Sequence, residues 1–214
     1  MTALDLRGLY FITDRNLSRK GIVEDVKSAI RGGVKIVQYR EKEKCTRKMI
    51  EEAKEIGKIC SANNVVFIVD DRVDVALAVG ADGVHIGEHD IDFETARKIL
   101  GNEKIIGVSV RSLEDAKKFE KLGADYISFS PIFETTTKKD IGNPIGLDVI
   151  KQAKKELRTT FTVIGGITQE NLEDVLNAGA DSVCMISAIF KKDDVESEVR
   201  KIRGIIKRHK ESQH

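Results

Sequence analysis

A short cassette recurs four times along the chain, and it constrains the fold more than any other feature. Each copy is a glycine, a brief mixed segment and an apolar run, as in Gly80-Ala81-Asp82-Gly83-Val84. The glycine suits a left-handed helix C-cap, and the β-branched residues behind it suit a buried strand. Each copy is therefore predicted to end a helix and begin a strand. The copies lie at residues 33–37, 80–84, 123–127 and 179–183.

Further apolar runs and charged helical segments alternate with the cassettes. Continuously apolar strands, each followed by a helix, are typical of a parallel sheet covered by helices. Eight such units in 214 residues predict a closed (β/α)₈ TIM barrel, an α/β fold with eight parallel strands. The further strands are expected at 9–12, 65–69, 104–108 and 161–164, and helices at 46–62, 92–100, 113–122 and 171–178.

The main alternative fold is an open, doubly wound sheet. Its dinucleotide-binding form has a glycine-rich turn after the first strand, whereas Thr13-Asp14-Arg15 follows Ile12 here. The barrel is therefore favoured. Residues 1–214 are assigned to one domain, with a short polar tail that frays from about residue 207.

Charge and cysteine content narrow the class of protein. The chain has 36 basic and 35 acidic residues, so no overall field favours nucleic acid or a membrane. No segment approaches the roughly 20 apolar residues of a membrane span, and no signal peptide is evident, so a cytoplasmic location is expected. Cys45, Cys60 and Cys184 match no zinc spacing and are interpreted as reduced thiols.

Polar residues follow the predicted strands, where the active site of this fold is built. Gln38, Arg40 and Lys42 follow the second strand and share one side by the two-residue alternation of an extended chain. This places an amide and two cations together. A solvated, charged surface turn is the alternative interpretation of the same residues.

Two carboxylates near neighbouring strand ends indicate a metal site. Asp71 and Asp90 are candidate ligands of Mg²⁺, which commonly takes one or two carboxylates. The alternative is that each caps a helix N-terminus. His85 and His89 lack a third soft ligand, which disfavours zinc, and His85 is expected to point into the barrel or its helix layer.

Two anion sites are also predicted. Residues 135–138 place three threonines and a lysine after the sixth strand, and Gly165-Gly166 and Ser187 follow the last two strands. Hydroxyls, an ammonium group and glycine-flanked backbone N–H groups suit phosphate. A solvated lysine turn and a tight glycine turn are the alternatives. With no evident nucleophile and base pair, these sites fit a reaction in which a diphosphate leaves.

The spaced motifs, in this order, resemble the thiamine-phosphate synthase family over residues 9–190. The resemblance implies a transferase that joins a hydroxymethylpyrimidine diphosphate to a thiazole phosphate, with Mg²⁺, in thiamine biosynthesis. The expected partners are these small molecules, and a homodimer is an open alternative. The motifs are residues 38–42, 71–74, 83–87, 107–109, 131–139, 165–167 and 187–189.

The resemblance also implies roles for individual residues. Arg40, Lys42, Ser109 and Lys138 would be catalytic and, with Gln38, would contact the pyrimidine diphosphate. Asp71 and Asp90 would bind the metal. The thiazole phosphate would be held by Thr135, Thr137, Gly166, Ile186 and Ser187, and the substrate-binding set is completed by Tyr39, Glu41, Asp70 and Thr136.

Three positions depart from the family pattern, and two other functions stay open. Asp70 stands where asparagine is usual, Glu88 replaces glutamine and Glu134 replaces proline. A carboxylate at Asp70 would repel a diphosphate unless a metal, a proton or Arg72 compensates. One alternative function is a related thiazole tautomerase, but Arg111 stands where the histidine of that enzyme is expected. The other is a non-catalytic barrel that binds a phosphorylated metabolite.

Overall fold

The structure, a computed structural model, describes residues 6–135, 142–191 and 193–212. Eight strands, all parallel to their neighbours, close into a barrel in sequence order. The predicted TIM barrel is therefore confirmed. The strands are β1 Gly8–Ile12, β2 Ile36–Tyr39, β3 Val66–Asp70, β4 Gly83–Ile86, β5 Ile105–Val110, β6 Tyr126–Phe129, β7 Phe161–Ile164 and β8 Ser182–Cys184.

Helices connect successive strands and cover the outside of the barrel. The helices predicted for residues 46–62 and 113–122 have the expected bounds, and those for 92–100 and 171–178 are shorter by one or two residues. The helices are α1 Ile22–Gly32, α2 Thr46–Ala62, α3 Val73–Val79, α4 Phe93–Leu100, α5 Leu113–Leu122, α6 Asp148–Glu156, α7 Leu172–Asn177, α8 Ile186–Phe190 and α9 Val195–Ser212.

The cassette glycines end helices as predicted. Gly33, Gly80 and Gly123 are left-handed C-caps of α1, α3 and α5, with φ of 97°, 68° and 86°. The backbone N–H of each cap donates to carbonyl oxygens of the last helical turn, which are otherwise unpaired. Gly179 also has positive φ, one residue beyond the cap of α7. The cassette therefore marks the change from helix to strand.

The cassette aspartates hold the start of the preceding strand. Asp82 accepts a hydrogen bond from Phe67 N at 2.7 Å, and Asp125 accepts one from Ile106 N at 2.8 Å. Asp181 repeats the contact with Phe161 N at 3.3 Å. These N–H groups lie at the base of the barrel, away from the strand ends that carry the site. The acidic position of the cassette is thus explained by strand pairing.

Alternation along each strand separates two apolar layers. Outward side chains pack against the helices, and Phe11 and Val37 are examples. Inward side chains fill the lumen with a smaller cluster that includes Tyr10, Ile68 and Tyr126. Because each strand contributes to both layers, a polar residue placed inward near the end of a strand faces the barrel mouth.

The C-terminal region differs from the sequence expectation in two places. The strand end expected to include residues 185–188 instead turns into α8, since β8 ends at Cys184. The tail expected to fray from about residue 207 continues α9 as far as Ser212, although the buried apolar face of this helix, Val199, Ile202 and Ile206, lies before it. The assignment of the chain to a single domain stays a prediction.

Candidate active site

A cavity of about 440 Å³ opens at the C-terminal ends of the strands. Its size suits a small-molecule ligand. Most of the described residues that the sequence assigns to binding, catalysis or metal ligation line it. These are Gln38, Arg40, Lys42, Asp70, Asp71, Asp90, Ser109, Thr135, Gly166, Ile186 and Ser187.

Two residues assigned to substrate binding, Tyr39 and Glu41, are not among the residues that line the cavity, and their roles stay predictions. Tyr39 is fully buried on the outer face of β2, where its hydroxyl donates to Glu52 of α2 at 2.8 Å. The carboxylate of Glu41 is also buried away from the cavity and accepts hydrogen bonds from the backbone N–H groups of Glu43 and Lys44. The physical reason is alternation, since the inward positions are Gln38, Arg40 and Lys42.

Three further assignments fall outside the part of the chain that the structure describes. Thr136, Thr137 and Lys138 belong to residues 136–141, which separate two of the described ranges. Their expected contacts with substrate stay predictions. Thr135, the last described residue before them, lines the cavity.

Asp70 organises the polar groups that follow β2. Its carboxylate accepts a hydrogen bond from Gln38 Nε2 at 2.5 Å, and Lys42 Nζ lies 2.8 Å from its other oxygen. Arg40 Nε is 3.9 Å from the same oxygen, while Arg40 NH1 donates to Asp14 at 3.2 Å. The predicted group of one amide and two cations therefore converges, and it does so around a buried carboxylate.

The charge of Asp70 is compensated by residues that differ from the sequence expectation. Arg72, expected as one possible compensator, donates to Asp74 and to Thr46 on the outside of the barrel. Lys42 and Arg40 lie beside Asp70 instead. Even so, burial, together with the charge of Asp71, raises the pKa of Asp70 to about 6.

Lys42 also contacts Asp71, whose side chain lies within hydrogen-bonding reach of Asp90. Burial opposes the charge of Asp71, but the hydrogen bond and charge of Lys42 outweigh it and lower its pKa. Burial raises the pKa of Asp90, and the hydrogen bond and charge of the neighbouring Asp71 raise it further. The hydrogen bond from Gly87 N, at 2.7 Å, lowers the pKa of Asp90 but does not cancel the rise. Two adjacent carboxylates with opposite shifts form a pair of hard oxygen donors facing the cavity.

The helix-capping alternative for these carboxylates is not what the structure shows. Arg72 occupies the N-cap position of α3, and no side chain makes a capping hydrogen bond there. Asp92 caps α4, because its carboxylate accepts from Thr95 N at 2.9 Å. Asp71 is further set apart by its φ of 59°, a left-handed conformation that places its N–H 2.7 Å from the carbonyl oxygen of His85.

The double glycine after β7 brings a neighbouring loop close to the cavity. Gly166 has φ of 65°, and a Cβ there would lie 2.4 Å from the carbonyl oxygen of Glu134. A Cβ on Gly165 would lie 2.6 Å from Cβ of Pro131. The absence of side chains therefore lets the segment after β6 pack against the segment after β7. This approach places Thr135 and Gly166 in one wall of the cavity.

A hydrogen-bonded chain of side chains under the cavity was missed by the sequence analysis. Tyr10 and Tyr126 are fully buried in the lumen, with their hydroxyl oxygens 2.7 Å apart. The Tyr126 hydroxyl also lies 2.9 Å from His85 Nδ1, and His85 Nε2 lies 2.9 Å from Ser109 Oγ. Of the two orientations expected for His85, the barrel interior or the helix layer, the structure shows the barrel interior. Alternation along β1 and β6 was the available signal for the two tyrosines.

Arg111 is another cavity residue outside the predicted binding set. Its guanidinium lines the cavity and donates to the carbonyl oxygen of Asn143 at 2.9 Å. The three cysteines are free thiols, as predicted, and Cys184 lies in β8. Among the helices described, none is long and apolar enough to span a membrane.

Comparisons with known proteins agree on one family. The model of the thiamine monophosphate synthase family matches residues 9–189. The chain is 51% identical over 199 residues to thiamine-phosphate synthase of Methanosarcina barkeri, covering 93% of this chain and 90% of that relative. It is 43% identical over 198 residues to the Clostridium novyi synthase, covering 92% and 97%. Among solved structures, thiamine phosphate pyrophosphorylase from Pyrococcus furiosus is similar with a TM-score of 0.88 and 38% identity, covering 96% and 98%.

Proposed function

This chain belongs to the thiamine monophosphate synthase family and is a transferase of thiamine biosynthesis, and from that premise we propose how its cavity works. It joins 4-amino-2-methyl-5-hydroxymethylpyrimidine diphosphate to 4-methyl-5-(2-phosphoethyl)thiazole. The products are thiamine phosphate and diphosphate. The observation that carries this proposal is the convergence of Gln38, Arg40 and Lys42 with the carboxylates of Asp71 and Asp90 at one rim of the barrel.

The family resemblance implies a dissociative reaction, and a site that has charged groups for a leaving anion and needs no nucleophile of its own is compatible with it. The bond between the pyrimidine methylene carbon and the diphosphate oxygen breaks, and its electron pair leaves with the diphosphate. The aminopyrimidine ring stabilises the resulting cation. The thiazole nitrogen then donates its lone pair to that carbon, which forms the new C–N bond and leaves the positive charge on the thiazolium ring.

Lys42 and Arg40 bind the diphosphate as its negative charge develops. Lys42 Nζ lies against Asp70 and Asp71, and the diphosphate competes with these carboxylates for the ammonium group. Stabilisation of developing charge by prearranged cations is often the largest catalytic contribution. Lys138, whose position is not described, acts on the same anion in this proposal.

Asp71 and Asp90 would hold Mg²⁺. The two residues fit the cation because their carboxylates are adjacent, and burial and the charge of Asp71 raise the pKa of Asp90. Two neighbouring negative charges repel each other, and a divalent cation between them would relieve that repulsion. Within the described ranges, no group of three or more His, Cys, Asp or Glu side chains is placed to hold a metal. Mg²⁺ commonly takes one or two carboxylates and completes its shell with water and phosphate oxygens. When bound, it supplies positive charge to the leaving diphosphate.

The other side of the cavity receives the thiazole phosphate. Thr135 and Ser187 offer hydroxyl groups there, Gly166 offers backbone at a position without a side chain, and Ile186 offers apolar surface. Hydroxyl and backbone N–H groups suit phosphate oxygens, while the ring needs an apolar wall. The two substrates would thus meet across the cavity, with the pyrimidine on the side of Gln38.

The direct test is product formation by the purified chain with Mg²⁺ and both substrates. We expect release of diphosphate together with thiamine phosphate, and loss of both when the cation is chelated. Thiazole isomerisation without release of diphosphate would select the tautomerase instead. Tight binding without turnover would select the metabolite-binding barrel. Absence of product from folded protein would overturn the proposed function.

A matched pair of lysine variants tests the role of the cavity cations. Lys42→Ala should lower kcat about 100-fold, since it removes one charge that stabilises the leaving group. Lys44→Ala is the control, because Lys44 lies in the same loop but pairs with Glu52 away from the cavity. Equal losses in both variants would show that the loop, and not the charge at Lys42, determines the rate. Lys138→Ala should likewise lower turnover more than thermal stability.

The remaining expectations stay predictions. A cytoplasmic location is consistent with a biosynthetic transferase, and fractionation of cells would test it. A homodimer is equally untested, and sedimentation of the purified chain would decide between monomer and dimer.

A further inference from the structure

The chain of side chains beneath the cavity has a direction, which follows from counting its donors. The Tyr10 hydroxyl has one hydrogen-bond partner among the described residues, the Tyr126 hydroxyl at 2.7 Å. Both tyrosines are wholly buried, and burial raises the pKa of each well above its usual value, so both stay protonated. A buried hydroxyl proton that has no acceptor is strongly disfavoured. Tyr10 therefore donates to Tyr126.

The next donor in the chain is then fixed. Since Tyr126 accepts from Tyr10, its own proton goes to its other partner, His85 Nδ1, at 2.9 Å. A histidine ring nitrogen that accepts a hydrogen bond carries no proton, so the proton of His85 resides on Nε2. Nε2 faces Ser109 Oγ at 2.9 Å and donates to it.

The hydrogen bond that Ser109 accepts from His85 determines where the hydroxyl proton of Ser109 points. Its hydroxyl has one proton, and that proton cannot point toward an Nε2 that is already protonated. Within the described part of the chain, the hydrogen bond of Ser109 Oγ is the one with His85 Nε2, and the side chain of Ser109 lines the cavity. The hydroxyl proton of Ser109 is thus directed into the cavity, where it can be donated to an anion.

The packing of the lumen supports this arrangement. Gly107 lies on β5, two residues before Ser109, and a Cβ at this position would lie 1.9 Å from Cζ of Tyr126 and 2.4 Å from its hydroxyl oxygen. The Tyr126 ring therefore occupies space that any other residue at Gly107 would fill. The glycine sets the depth of the ring and so the position of its hydroxyl beneath His85.

We propose that Tyr10 and Tyr126 hold His85 in the Nε2–H tautomer, and that His85 is a positioning residue that makes Ser109 a hydrogen-bond donor to the substrate. This inference deepens the proposed function and rests on it for the identity of the acceptor, an oxygen of the pyrimidine diphosphate. His85 itself exchanges no proton with the substrate. Its contribution is the orientation of one hydroxyl group.

Nitrogen NMR of the full chain, labelled with ¹⁵N at histidine, tests the tautomer without any substrate. The chain has four histidines, and His85→Gln identifies the signals of His85 by their loss. We expect a protonated Nε2 and an unprotonated Nδ1 in the parent protein, and a shift of the proton toward Nδ1 in Tyr126→Phe. A proton on Nδ1 in the parent, or an unchanged tautomer in Tyr126→Phe, would overturn the proposal.

Ser182→Ala is the matched control for loss of a buried lumen hydroxyl. Ser182 is fully buried at the opposite end of the barrel, where its hydroxyl donates to the carbonyl oxygen of Gly8 at 3.1 Å. This variant should leave the His85 signals and the kinetics unchanged. A tautomer change in Ser182→Ala equal to that in Tyr126→Phe would assign the effect to general loosening of the lumen, against the proposal.

Kinetics then test whether the chain acts through Ser109. Tyr126→Phe should lower kcat about ten-fold with little change in KM, as expected when one transition-state hydrogen bond is misdirected. The double variant Ser109→Ala/Tyr126→Phe should be no slower than Ser109→Ala alone. Independent, multiplying losses would refute the positioning role. Because the tautomer is measured without turnover, a parent protein that makes no thiamine phosphate would refute the proposed function separately.

Discussion

The substitution Asp70→Asn should change how the stability of the protein depends on pH. Asp70 has 8% side-chain exposure, and its carboxylate lies between Gln38 and Lys42. Burial and the charge of Asp71 raise its pKa from the usual 3.8 to about 6. Asparagine keeps the side-chain oxygen that can accept from Gln38, but it cannot ionise. The pH dependence of the difference between the two proteins therefore isolates the ionisation of Asp70.

The sign follows from proton binding. Between pH 4 and pH 6 the native state keeps the Asp70 proton that the unfolded chain has already released, so the native state binds more protons and stability falls as pH rises. One pKa unit corresponds to about 1.4 kcal/mol, so the full shift corresponds to about 3 kcal/mol. Asp70→Asn does not have this loss. Relative to the parent, it should gain about 2 kcal/mol of this unfolding free energy from pH 4 to pH 7, because the unfolded carboxyl is already more than half ionised at pH 4.

Urea unfolding in metal-free buffer at several pH values between 4 and 7 measures this difference. Asp92→Asn is the control, because Asp92 is exposed and its pKa is lowered by hydrogen bonds from the Thr95 backbone. Its variant should drift weakly in the opposite direction, losing stability relative to the parent as pH rises. A difference between Asp70→Asn and the parent that is constant with pH, or that falls as pH rises, would mean that Lys42 and Arg40 outweigh burial and would refute the reasoning.

Two further substitutions test the packing of the barrel. Asp125→Ala should lower the unfolding free energy by about 2 kcal/mol, because the buried Ile106 N–H loses its acceptor. Asp125→Asn keeps an acceptor oxygen and should lose less stability in urea unfolding. Equal losses in the two variants would contradict this reasoning. Gly166→Ala should raise KM for the thiazole phosphate, because the added Cβ would meet the carbonyl oxygen of Glu134. Gly80→Ala is the control, since Gly80 has a similar φ but nothing within 4 Å of an added Cβ. This control should cost only about 1 kcal/mol of stability. An unchanged KM in Gly166→Ala would count against the loop packing.

Much of the fold was readable from short stretches of sequence. A glycine that caps a helix and an apolar run that forms a strand are local features, so the cassettes at Gly33, Gly80 and Gly123 were placed correctly. Alternation along β2 is equally local, and it correctly put Gln38, Arg40 and Lys42 on one side. The same rule puts the side chain of Tyr39 on the outer face of β2, where it bonds Glu52.

The polar contacts of the site depended on the tertiary structure. Gln38 and Asp70 are 32 residues apart, and Tyr10 and Tyr126 are 116 apart. The sequence identified each as a candidate strand residue without showing which inward side chains would meet. Arg72, which adjoins Asp71 in the chain, turned out to face outward.

The sequence by itself determined most of the strands and helices and the inward side of β2, because helix caps and strand alternation depend on neighbours in the chain. The tertiary structure alone decided that Lys42 compensates Asp70 and that two tyrosines orient His85. Closure of the barrel fixes the register between strands and thereby brings distant inward side chains to one level of the lumen. Hydrogen-bond direction and pKa shifts arise only from those contacts, since both depend on burial and on the groups that surround each atom.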